Sequence, residues 1–162
     1  MTAIVIAIAA LIIGVAGMNR LPASPVTVTE RASPSTRSAH DQQAANRALC
    51  NAIAPLMTEN DRISKTYSNL GPAGSPTYNA GISTFVGDTT NWIGRIQPAI
   101  DGYPDADPYL RRSLQRFVDD RRFLAADLEE GPLQPYDQTD WNDSLSAYNG
   151  PLMVCWNLGV KW

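Results

Sequence analysis

DPYLRRSLQRFVDDRRFLAADLEEGP, residues 107–132, decides the fold of this chain. Asp107 followed by Pro108 is a cap residue ahead of a proline at the first helical position, where the missing N–H costs nothing. Leu110, Leu114, Phe117, Val118, Leu124, Ala125 and Leu128 then recur at helical spacing and form one apolar face. Gly131-Pro132 stops the pattern, in the manner of a glycine C-cap followed by proline. An amphipathic helix of this length cannot stand alone, because its face needs partners.

The partners lie on either side. Ser75-Pro76 opens a second helix by the same logic, with Tyr78, Ile82, Phe85, Val86, Trp92, Ile93 and Ile96 on one face and Pro98 and Gly102 at its end. A shift of 32 residues superposes much of its pattern on that of the 107–132 stretch, which points to two matched antiparallel helices joined by a short loop. Upstream, a helix begins near Ser38 and carries Ala45, Leu49, Ala52, Ile53, Leu56, Ile63 and Tyr67. Pro55 interrupts it, so a kink or break is expected near residues 51–55. Downstream, residues 133–139 read as a loop. Asp140 caps a short helix over 141–148, and Gly150-Pro151 restarts a last one over 151–158 that ends at Gly159.

The N-terminal part is different in kind. Residues 3–18 carry no charge and no strong polar group. A helix over residues 1–18 would be roughly 27 Å long, just enough for a hydrocarbon core of about 30 Å. An uncleaved anchor is the preferred reading over a cleaved signal peptide, because only Met1 and Thr2 precede the apolar run and no basic n-region is present. Residues 19–37 hold Pro22, Pro25 and Pro34 among Ser and Thr, with too few large apolar side chains to pack, and read as an extended linker. The fold class expected is therefore all-α. An N-terminal transmembrane helix (1–18) and a Pro/Ser/Thr-rich linker (19–37) precede a helical domain (38–162) of three main helices and a C-terminal helical segment.

Orientation is contested within the sequence. Arg20, Arg31 and Arg37 follow the apolar run and, by the positive-inside rule, place the domain in the cytoplasm. The Pro/Ser/Thr linker and the two cysteines speak for export. Cys50 and Cys155, 105 residues apart, are most simply a disulfide pair in an exported domain; two buried free thiols are the cytosolic alternative. The net charge of −3 offers no basic field for nucleic acid.

Few residues carry chemistry. Arg121 falls in the centre of the apolar stripe between Phe117 and Leu124, where a charge needs a partner or access to water. Asp88, Asp137 and Asp140 are the acids within reach of such a position. A structural pairing is the plainer reading, and a pocket for an anionic ligand, lined by Arg121 and the aromatics of the second helix, is the other. Asp101, Asp105 and Asp107 share one loop, but the EF-hand pattern is absent and Asp107 is already a cap. The lone His40 excludes a histidine-rich metal site. Asp119-Asp120 and Glu129-Glu130 are sequential and fit a solvated helix face. No catalytic residue, metal or cofactor is expected. Trp141, Tyr148, Trp156 and Trp162 gather in the last 22 residues. Together with Arg121 and with Phe123, which points away from the stripe, they form the candidate partner or ligand surface.

Ala48-Leu49-Cys50-Asn51-Ala52, Leu110-Arg111-Arg112-Ser113-Leu114 and Cys155-Trp156-Asn157-Leu158-Gly159-Val160-Lys161-Trp162, behind an anchor and a Pro/Ser/Thr spacer, carry a resemblance. The chain resembles the small, single-anchored, exported proteins of mycobacteria, related actinobacteria and their phages. The resemblance implies an exported domain and a Cys50–Cys155 bridge, and no particular activity. The expectation for function is a non-enzymatic, membrane-anchored extracytoplasmic protein that binds a membrane or cell-envelope protein. It would serve as an accessory subunit of an envelope complex or, if phage-encoded, alter the host surface. A small-ligand-binding domain and a cytoplasmic-facing partner-binding domain are the alternatives.

Overall fold

Three side-chain caps set the starts of the first three helices. In the computed structural model, which describes residues 38–131 and 134–162, Ser38 Oγ accepts the Asp41 N–H at 3.1 Å and opens α1 (Ala39–Ser68). Ser75 Oγ accepts the Tyr78 N–H at 3.2 Å and opens α2 (Pro76–Asp101). Asp107 Oδ1 accepts from Tyr109 and Leu110 at 2.8 and 3.3 Å and opens α3 (Pro108–Glu130). In each case an otherwise unpaired N–H of the first turn is satisfied. A fourth helix, α4 (Pro135–Asn157), starts where the Gln134 N–H donates to Asp137 Oδ2 at 2.5 Å.

The described residues belong to one compact unit and are helical with short connections. Successive helices run antiparallel. Between α1 and α4, Cys50 meets Cys155, Asp61 meets Tyr148 and Tyr67 meets Trp141, so the sequence falls in one helix as it rises in the other. Trp92 against Phe117 and Gln97 against Gln115 show the same for α2 and α3. The result is an up-down-up-down four-helix bundle, with α3 packed most extensively on α4 and with α1 meeting α4 to close the ring. Leu49, Ile53, Met57, Trp92, Ile96, Leu110, Leu114, Phe117 and Leu124 are fully buried at its centre. The anchor (1–18) and the linker (19–37) lie outside the described residues. Among the described residues no helix is long and apolar enough to cross a membrane.

Several sequence expectations are corrected. α1 does not break at Pro55 but is one helix through it, flanked by the fully buried Cys50, Ile53 and Met57, whose packing holds the helix past the missing N–H. α2 continues through Pro98 to Asp101. Gly131 ends α3 with φ 160°, an extended backbone rather than a left-handed glycine cap. The largest departure is α4. The anticipated loop, short helix and restarted helix are a single helix of 23 residues with Pro151 buried inside it. Gly150 does not break it. A Cβ at that position would sit 2.7 Å from Ser113 Cβ, so the glycine lets α3 and α4 approach closely.

The C-terminus ends in a Schellman motif, at the glycine the sequence marks. Gly159 takes φ +79°, its N–H donates to the Trp156 carbonyl, and the Val160 N–H donates to the Cys155 carbonyl, each at 2.9 Å. This turn buries Val160 and brings Trp162 back onto α4.

Candidate functional site

The Cys50–Cys155 disulfide is present, with both side chains fully buried and their Cα atoms 5.5 Å apart. It staples α1 to the end of α4, the pair of adjacent helices in the bundle with the least contact otherwise. At the other end of the same seam, beside Ser64 and Trp141, lies Arg121.

Arg121 is 1% exposed. The acid partners considered from the sequence do not pair with it. Its Nη2 donates to Ser64 Oγ at 3.0 Å, and its guanidinium carbon lies 4.2 Å from the Trp141 ring centre and 5.3 Å from that of Phe117. Nε and Nη1 are buried without a hydrogen-bond acceptor. A cation stacked on aromatic faces in a dry core keeps its charge at a cost. Burial pushes the guanidinium down to about 10, against the attraction of Asp61, Tyr67, Asp120 and Tyr148.

A hydrogen-bonded chain runs beside it to the surface. Trp162 Nε1 donates to Tyr148 Oη at 2.7 Å, and Tyr148 Oη donates to Asp61 Oδ2 at 3.0 Å. Burial pushes Tyr148 up to about 12 and raises Asp61, the latter countered by the Tyr148 hydroxyl and by Arg121. The aromatics of α2 are core residues: Phe85 stacks on Tyr67 at 4.2 Å, and Trp92 meets Phe117 edge-on while donating its Nε1 to the Leu56 carbonyl at 2.8 Å. They do not line a cavity with Arg121.

The six residues singled out for a partner or ligand surface therefore separate. Arg121, Trp141, Tyr148 and Trp162 are brought together along the α1–α4 seam, joined through Phe117 and Asp61. Phe123, 62% exposed, lies outside that group. Trp156 is also exposed and carries Lys161 Nζ 5.9 Å from its ring centre.

Trp156 has company that the sequence reading missed. At about 100° per residue, Leu145, Leu152, Met153 and Trp156 fall within a sector of roughly 100° on α4. Leu145, Met153 and Trp156 are 43%, 56% and 46% exposed, and Leu152 is half-buried. The opposite side of α4 is buried through Ser144, Ala147, Pro151 and Cys155. α4 thus carries apolar side chains facing outward, with the polar Asn142 and Asn149 in the same sector, besides the stripe facing the core. The signal was in the sequence as residues spaced seven, one and three apart, but it could be read only once 135–157 is one helix.

Two further features complete the surface. A groove of about 810 Å³ runs along α2 and the end of α3, over Ile82, Ser83, Gly87, Thr90 and Gly94, with Arg95 at one end. The loop carboxylates Asp101, Asp105 and Asp107 do not gather; Asp107 caps α3, and Gln97 donates to Asp101. His40 is exposed in the first turn of α1.

The class defined by these features is a disulfide-stapled four-helix bundle with a second, outward apolar stripe on its last helix. No family model, no curated protein and no solved structure matches the chain.

Proposed function

We propose that the chain is a non-enzymatic, membrane-anchored interaction protein whose helical domain works on the extracytoplasmic side. It would act as an accessory subunit of an envelope complex or, if phage-encoded, as a factor altering the host surface. The observation that carries this reading is the outward stripe of Leu145, Leu152, Met153 and Trp156. Large apolar and aromatic side chains aligned on one exposed helix face supply the anchors that a partner's groove or helix buries. The buried Cys50–Cys155 bridge supports the oxidising side of a membrane. The resemblance to anchored, exported actinobacterial and phage proteins points the same way. An anchor would raise the local concentration at a membrane partner.

A photo-crosslinking residue placed at Met153 in the full chain, in its native membrane, tests the reading. A discrete adduct with one envelope protein is expected from position 153, and none from position 40 on α1. Equal, diffuse labelling from both positions would refute the docking stripe. Peptide mapping after alkylation at lysis, without reductant, tests the side of the membrane: a linked Cys50–Cys155 peptide supports export, and two alkylated thiols support a cytoplasmic-facing domain.

One observation favours a small-ligand domain instead, namely the open groove along α2. Its lining differs from the Arg121 pocket foreseen in the sequence, and Arg95 at its end is engaged by Glu59 at 2.6 Å.

A further inference from the structure

The end of α3 and the start of α4 lie side by side, and both are acidic. Asp127 sits in the last turn of α3, and Asp137 and Asp140 sit three residues apart at the start of α4. Each offers a carboxylate oxygen, and the three oxygens all lie within 4.8 Å of one another. Asp127 and Asp140 are half-buried, whereas Asp137 is 2% exposed.

Asp137 is the informative member. Its Oδ2 accepts the Gln134 N–H, which fixes the side chain across the start of the helix. Its Oδ1 is enclosed and has no hydrogen-bond donor. A buried carboxylate oxygen without a donor is costly, and two further carboxylates beside it raise that cost. Among the described residues no lysine or arginine lies within ion-pair distance of any of the three. Arg121, the nearest buried cation in sequence, is turned to Ser64 and Trp141. Asp140 is raised from its ordinary value by burial first, then by Asp127 through both its charge and a side-chain hydrogen bond, and by Asp137 and Asp120, with no cation opposing them. Tyr136 next door is raised by burial and then by the same acids with Glu130.

We propose that Asp127, Asp137 and Asp140 form a calcium site that ties the end of α3 to the start of α4. The donor set is oxygen only, which suits a hard divalent cation and not zinc or copper. Oxygens within 4.8 Å of one another fit around an ion with ligands at about 2.4 Å. Calcium accepts irregular coordination from side chains on two helices, one of them already committed through its second oxygen. Magnesium demands near-octahedral geometry at about 2.1 Å and fits less well. The ion would lie beside the buried Asp137 carboxylate, one of whose oxygens lacks a donor, and cancel the repulsion within the trio. This inference is independent of the docking stripe on α4.

The test uses the full-length chain, stripped with a chelator and titrated with calcium chloride by calorimetry. Terbium serves as a luminescent probe, because Trp141 adjoins Asp140 and can sensitise it. One calcium per chain is expected, with a rise in melting temperature and sensitised terbium emission that calcium displaces. Asp127→Asn and Asp140→Asn are each expected to weaken binding at least about tenfold. Asp119→Asn, outside the trio, is expected to leave binding unchanged. Both trio positions are half-buried, so a folded variant from either one suffices. Absence of saturable binding up to about 10 mM overturns the site, as does binding unaltered in both trio variants. Tighter binding of magnesium than of calcium overturns the choice of ion.

Discussion

Replacing Arg121 with methionine is expected to stabilise the protein. The guanidinium is almost wholly enclosed, holds one hydrogen bond, to Ser64, and leaves Nε and Nη1 without acceptors. Burial brings it from its ordinary value near 12.5 down to about 10. At about 1.4 kcal/mol per tenfold, that fall is a cost of about 3 kcal/mol to the folded state for keeping the charge. The sign follows from linkage. Between the lowered folded value and the ordinary one, the unfolded chain holds a proton that the folded chain has released, so stability rises with pH across that window. Below pH 10 both states are charged, and the full penalty persists at neutral pH. Methionine keeps the length of the stem and removes the charge. It also forfeits the stacking on Trp141 and Phe117, worth about 1–2 kcal/mol. Ser64 is half-buried, so water can replace the lost donor. The balance is a gain of about 1–2 kcal/mol, within the range seen when buried charges give way to apolar residues. Urea unfolding of the full chain with its disulfide intact, followed by tryptophan fluorescence and circular dichroism, measures it. Arg121→Ala in the same assay is expected to cost about 2 kcal/mol, because it removes the packed stem as well. A loss of more than about 1 kcal/mol in Arg121→Met would refute the reasoning. It would mean that the attraction of Asp61 and the aromatic faces outweighs desolvation.

Other measurements probe other parts of the bundle. Replacing Cys50 and Cys155 together with alanine is expected to cost about 4 kcal/mol, since the bond closes a loop of 105 residues; a cost near zero in urea unfolding would show that the reduced chain already holds α1 on α4. Gly150→Ala is expected to lower the melting temperature despite the better helix propensity of alanine, because the new Cβ meets Ser113 Cβ at 2.7 Å. Gly87→Ala and Gly94→Ala, which meet open space, are expected to gain about 0.5–1 kcal/mol each; a loss at both would show that the groove closes onto α2 in solution. With calcium chelated, stability is expected to rise as pH falls from neutrality into the carboxylate range, because Asp140 in the fold holds its proton more tightly than in the unfolded chain. Asp127→Asn should flatten that part of a melting-temperature profile, and an unchanged profile would remove Asp127 from the cluster.

How far the sequence carried the fold differs between helices for a physical reason. α1, α2 and α3 announce themselves through a cap residue and one apolar face, and their starts at Ser38, Ser75 and Asp107 agree with the structure. α4 has neither signal. Its N-cap is Gln134, with Asp137 reaching back, and its apolar residues occupy two faces, so no single periodicity emerges from 135–157. Gly150 and Pro151 then read as a break, although the first is there for contact with Ser113 and the second is core. Burial of Arg121 was legible from its place between Phe117 and Leu124. Its surroundings were not, since Ser64 and Trp141 reach it only through the packing of α1 and α4 on α3. The convergence of Asp127 with Asp137 and Asp140 depends likewise on how the chain turns between α3 and α4.

The irregular features of α4 are what its position in the bundle requires. A helix that only closed a bundle would present mainly polar residues outward, as Arg112 and Arg116 do for α3, where Tyr109 and Phe123 are the exposed exceptions. α4 instead buries Ala147, Pro151 and Cys155 and leaves Leu145, Met153 and Trp156 in water. Nothing inside the domain gains from that exposure, and each outward apolar group adds to the risk of self-association. The disulfide near its C-terminus and its extensive packing on α3, with Gly150 against Ser113, hold this helix in place. With its inner face fixed in this way, the stripe keeps one orientation without a contribution from its own side chains. That separation between what holds α4 and what α4 presents gives a double test. Ser substitutions at Met153 and Trp156 should leave the unfolding free energy within about 0.5 kcal/mol of that of the unsubstituted chain while abolishing the photo-adduct at a neighbouring position, Leu145. A large loss of stability would assign the stripe to the fold itself and remove the argument for a partner.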